Sequence, residues 1–174
     1  MTFTVHQVSL SSFEVSLSAF LGILDKAEAF AIAKKFDPAL YLSLRLRPDM
    51  LSFSRQVQIF CDNAKNASAR LAGVEAPRFE DNEASLPELK ARIVKTLDYL
   101  KSLDREAIDH SVLREIVFPV GPNKMKMQGG NYLLHYVLPN FYFHLTTAYD
   151  LLRYAGVEIG KRDYLGAVPG ISPA

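Results

Sequence analysis

"NYLLHYVLPNFYFHLTTAYDLLRYAG", Asn131 to Gly156, is the stretch whose reading decides the fold. Its first nineteen residues hold no Asp, Glu, Lys or Arg, yet include two histidines and a proline. A membrane span needs about 20 mainly apolar residues. Here Asn131, His135, Asn140, His144, Thr146 and Thr147 return polar groups too often for lipid. Val137, Phe141, His144, Ala148, Leu151 and Ala155 instead line one side at helical steps, with Leu134, Leu138, Leu145 and Leu152 beside them. That pattern predicts a helix with one face in a soluble core. Gly156 followed by Val157 suits a left-handed helix end with an apolar contact. Pro139 removes one backbone donor and is expected to bend the helix.

Three further stretches share this periodicity. Leu10, Phe13, Leu17, Phe20, Leu24, Ala27 and Ala31 form the first seam. Phe53, Val57, Phe60, Ala64, Ala67 and Leu71 form the second, with Gly73 placed to stop it. The third begins "SLPE", where Ser85 caps, Glu88 completes a capping box and Pro87 suits a first turn. Its seam is Leu86, Leu89, Ile93, Leu97 and Leu100. Four amphipathic helices predict an all-α four-helix bundle, with residues 1–174 as one domain. In "FDPALYLSLRLRPDM" the leucines alternate as in an extended segment, while "DPAL" resembles a helix start, so residues 37–51 stay open. "VLREIVFPVGPNKMKMQGG" predicts a small β-hairpin between helices three and four, turning at Gly-Pro-Asn and capping one end. The tail, 157–174, lacks helical periodicity, and Tyr164 and Leu165 are expected to hold it across the bundle.

Composition excludes several classes. The 174 residues suffice for one sizeable core, with 49% apolar and 22% charged residues, as in ordinary globular domains. A net charge of +1 supplies no basic face for nucleic acid. With Cys61 alone, no intramolecular disulfide or cysteine-based zinc cluster forms, which fits a reducing compartment. "MTFTVHQVSLSSF" lacks the basic start and apolar block of a secretory signal. A cytoplasmic location is the expectation.

The candidate chemistry gathers near the seams. His135 and His144 are nine residues apart, which sets them on nearly opposite sides of a helix, so a shared metal is not expected. His144 interrupts an apolar stripe, either as a hydrogen-bonded core histidine or as a ligand or catalytic group. Asn140 lies one turn earlier on the same side. Gln56 and Cys61 flank the second seam and face the same candidate pocket, while Asp62 is expected on the solvated side with Arg55 and Asn66. Cys61 reads as an inert buried thiol unless a base adjoins it. No serine sits in a strand–turn–helix elbow, and "GPNKMKMQGG" lacks phosphate-loop spacing. The aromatics from Tyr132 to Tyr149 have no interleaved basic residues, so packing explains them better than base stacking.

"RLRPDM", "PNFYFHLTTAYDLLR" and "GKRDYLG" closely resemble an uncharacterised bacterial family, over essentially the whole chain. That family is similar in fold to the DinB/YfiT superfamily, four-helix bundles described as metalloenzymes. The resemblance implies the bundle and a homodimer. It also implies a metal position built from one histidine on the second helix and two on the last, four apart. By spacing, the last pair maps to Asn140 and His144, and the second-helix position to Phe60 or Cys61. Phenylalanine cannot ligate a metal, and asparagine substitutes poorly for imidazole at zinc or nickel.

The expected function is therefore a ligand-binding or non-enzymatic module with a degenerate metal site and no tightly held cofactor. The alternative is an enzyme, a metal-assisted or thiol-related transferase, using a rebuilt pocket of Gln56, Cys61, Asn140 and His144, with or without a weakly bound divalent ion. A homodimer and a small-molecule ligand are the partners expected, and nucleic acid and membrane are not.

Overall fold

The structure, a computed structural model, describes residues 3–172 and is mostly helical with one two-stranded hairpin. A short helix α1 (Val5–Val8) leads into α2 (Leu10–Ala33), followed by α3 (Phe53–Ala72) and α4 (Leu86–Lys101). After α5 (Arg105–Asp109), β1 (Glu115–Val120) and β2 (Asn123–Gln128) pair antiparallel, Val120 opposite Asn123. The two-residue connection is Gly121-Pro122, with Gly121 at φ 56, as a mirror-image hairpin turn requires of its first central residue. The chain then passes through α6 (Gly129–Asn131) and a wide π-turn (Tyr132–Val137) into α7 (Leu138–Tyr154), and ends on α8 (Lys161–Leu165).

All residues of the first three predicted seams are buried in one apolar cluster. Aromatic contacts show where the long helices meet. Phe13 of α2 touches Phe141 of α7 at 4.7 Å between ring centres, and Phe60 of α3 lies 5.0 Å from Phe20 and 6.2 Å from Phe141. The hairpin buries Ile116 and Phe118, the latter against Tyr132 at 4.7 Å and Tyr136 at 4.6 Å.

The helix ends follow their sequence signals with two differences. Gly156 at φ 89 donates to the Arg153 carbonyl and Val157 to that of Leu152, so two otherwise orphaned carbonyls are satisfied. Ser85 accepts from the Glu88 backbone, but the Glu88 carboxylate bonds Ala84 N, one residue before the position a capping box uses. Pro139 does not interrupt a continuous α-helix. It is the second residue of α7, and the chain approaches it through the π-turn. The Leu138 N–H closes that turn on the Leu133 carbonyl, five residues back. The wider turn shifts the face presented before Pro139: Tyr132 and Leu133 are buried, and Leu134, expected beside the seam, is 52% exposed.

Residues 37–51 begin as a 3₁₀ helix, Pro38–Ser43, capped by the Asp37 carboxylate on Ala39 N. Tyr41 is its buried residue, whereas Leu40 and Leu46 of the alternating leucines are exposed. The tail is held by α8. Asp163 pairs with Lys26 at 2.6 Å and caps Gly160 N at 2.8 Å, and Tyr164 bonds Thr146 at 2.8 Å. Leu165, expected as an anchor, is 45% exposed. No helix among the described residues is long and apolar enough to cross a membrane.

Candidate functional site

Gln56 sits in the first turn of α3 and is 1% exposed; His144 is half-buried in the middle of α7. Their side chains meet, His144 Nδ1 to Gln56 Oε1, at 2.6 Å. The Gln56 amide is oriented by its other end, since Nε2 donates to the Leu51 carbonyl at 3.2 Å. With its oxygen then turned to His144, the imidazole must donate from Nδ1, and the neutral ring keeps its lone pair on Nε2. Burial holds the His144 pKa below the usual histidine value, so this neutral tautomer prevails at pH 7.

The other two candidate residues do not join them. Asn140 donates its side-chain nitrogen to the Tyr136 carbonyl at 2.7 Å, one turn back on its own helix. Cys61 is fully buried beside α4, with Thr96 bonded to it and Arg92 nearby. Burial pushes its thiol up to about 12, outweighing the opposing Thr96 bond and Arg92 charge. A thiol so protonated is no nucleophile at neutral pH. Phe60 belongs to the aromatic core. The side chain that α3 presents to His144 is thus Gln56, a turn earlier than the spacing argument suggested.

Beside His144 the chain offers no second imidazole: α3 supplies Gln56 and the previous turn of α7 supplies Asn140, amides whose nitrogens are already committed to backbone carbonyls. Amide oxygens are weak donors to zinc or nickel, so the residues present do not fit such an ion. Among the described residues, no group of three His, Cys, Asp or Glu side chains converges to hold one elsewhere.

Two polar constellations were not anticipated. Arg92 of α4, its side chain 2% exposed, binds Asp62 at 3.0 Å, Asp81 at 2.9 Å and Glu83 at 2.8 Å, and also the Glu80 carbonyl. Arg55 and Gln58 of α3 reach the same two linker carboxylates, Asp81 at 2.6 Å and Glu83 at 2.7 Å. Lys65, also buried, joins Asp62 at 3.0 Å and lies 4.2 Å from the Phe79 ring centre. Asp62, expected among solvated side chains, is half-buried in this network. The signal available in the sequence was Arg92 and Thr96, a polar pair one turn apart beside the α4 seam. The second constellation is a cavity of about 230 Å³ between α7 and α8, lined by Thr146, Tyr149, Asp150, Lys161 and Tyr164.

Comparison with known proteins agrees with this architecture. No curated protein matches the chain. A crystal structure of a DinB family member from Shewanella denitrificans is 40% identical and superposes with a TM-score of 0.89, over 97% of this chain and 95% of that one. Residues 5–165 match the model of a domain of unknown function, DUF1993. The chain belongs to the DUF1993 family and is DinB-like.

Proposed function

We propose that the protein is a single-domain four-helix bundle of the DinB type in which the metal position is degenerate, and that it works as a ligand-binding or non-enzymatic module. The bundle reading rests on the four long helices α2, α3, α4 and α7 contributing to one core. The functional reading is carried by the 2.6 Å bond between Gln56 and His144. At the α3 position that faces His144, this chain supplies an amide, not an imidazole, and it ties the histidine to α3. The pair then fixes helix register instead of gripping an ion. The homodimer expected from the family draws support from Phe143 and Tyr154, 57% and 82% exposed on α7.

The enzyme alternative retains one favourable feature, the His144 Nε2 lone pair, which is a neutral base near pH 7. Cys61 brings nothing to it, because its thiol is protonated and packed against α4.

Restoring the missing ligands tests the reading. The double variant Gln56→His, Asn140→His is expected to bind zinc at least about tenfold tighter than wild type by isothermal titration, a difference of about 1.4 kcal/mol. Equal zinc affinity in the two proteins would show that this is not a lapsed metal position. Light scattering at high concentration is expected to give twice the monomer mass, and a monomer would remove the dimer.

A further inference from the structure

We propose that the cavity between α7 and α8 binds a small zwitterion, an amino-acid-like molecule carrying an ammonium and a carboxylate group. This goes beyond the reading above and does not rest on His144. The five lining side chains all fall within two stretches that the sequence singled out, "PNFYFHLTTAYDLLR" and "GKRDYLG". Separate in sequence, they line one open groove with about 230 Å³ of free space. That is room enough for a small amino-acid-sized ligand.

The walls are fixed before any ligand arrives. Lys26 and the Gly160 N–H hold Asp163, and the Tyr164 hydroxyl meets Thr146 at 2.8 Å. Tyr149 and Tyr164 stand at 79° with ring centres 5.6 Å apart, giving two perpendicular aromatic walls. An ammonium group is attracted to aromatic faces of this kind. Burial, with Asp150 close by, raises the Tyr164 pKa against the Thr146 bond, so the phenol stays neutral.

Charge selects the ligand class. Asp150 and Lys161 carry opposite charges on the rim of one cavity, and neither takes part in an ion pair among the described residues. A simple cation would meet Asp150 but be repelled by Lys161, and a simple anion the reverse. A zwitterion satisfies both, and its ammonium end can rest on a tyrosine face.

Titration of the full chain with glycine, L-alanine and glycine betaine, followed by NMR, tests the site, with tetramethylammonium and acetate as half-ligands. Saturable binding of at least one zwitterion is expected, about tenfold tighter than either half-ligand. Asp150→Asn and Lys161→Gln each weaken it about tenfold while leaving the melting temperature near wild type, since both side chains face solvent. His144→Ala leaves it unchanged, which separates this site from the degenerate metal position. The proposal is overturned if none of the three zwitterions saturates, if a half-ligand binds as tightly, or if both charge variants bind like wild type.

Discussion

His144 shows how one side chain's surroundings decide its role. Its Nδ1–H is committed to Gln56, and burial disfavours its charged form. Above about pH 6.5 the ring is neutral in both folded and unfolded chains. Below that the unfolded chain takes up the proton first, so stability falls as pH drops towards the lowered folded value, and the loss stops there. Thermal melts of wild type between pH 7 and 5 are therefore expected to show a steeper decline than those of His144→Ala. Parallel curves would mean that the ring titrates as an exposed histidine does. The sequence made His144 conspicuous, because a lone imidazole broke an apolar stripe. It did not single out Gln56 as the partner, since Gln56, Phe60 and Cys61 all lie near one edge of α3 and only the packing of α7 chooses among them.

At the level of elements, the seams of α2, α3 and α4 were legible because each is an uninterrupted helix, in which a spacing of three or four residues maps directly onto one face. The approach to α7 was not. Periodicity analysis assumes about 3.6 residues per turn, and the π-turn at Tyr132–Val137 breaks that assumption, turning Leu133 inward and Leu134 outward. The start of this segment is pinned by glycine. Gly129 N–H donates to the Arg114 carbonyl at 2.8 Å and Gly130 N–H to that of Val112 at 2.9 Å. A Cβ on Gly129 would collide with the backbone oxygen of Ser111, whereas one on Gly130 meets Val112 at ordinary contact distance. Gly129→Ala is expected to cost about 1–3 kcal/mol in urea unfolding, and Gly130→Ala clearly less. Equal costs would show that the close approach to Ser111 relaxes freely.

Across the whole molecule, the buried charges around Arg92 tie the irregular linker between α3 and α4 to both helices. Burial alone would raise the Asp81 pKa, but the Arg55 hydrogen bond and the Arg92 charge outweigh it and hold the carboxyl below its usual range. Its stabilising share is present above about pH 3.9 and disappears as pH falls through the lower folded value. Arg92→Met leaves Asp62, Asp81 and Glu83 without their shared buried cation, a loss of about 3–5 kcal/mol in chemical unfolding. Lys95→Met, at an exposed position over the same Phe79 ring, should change stability by about 1 kcal/mol or less. Similar losses would mean that the network contributes no more than a surface charge. This clamp joins residues 30 positions apart in sequence, so the Arg92 and Thr96 pair marked its α4 side but none of its partners. The α7–α8 cavity draws its lining from two stretches separate in sequence, so neither stretch alone outlined it. On the function proposed, one imidazole and two committed amides do not hold a transition metal, and metal content tests this most directly. Elemental analysis of the full chain purified without chelators is expected to find zinc and nickel far below one ion per chain. Near-stoichiometric zinc or nickel that disappears in His144→Ala would contradict it.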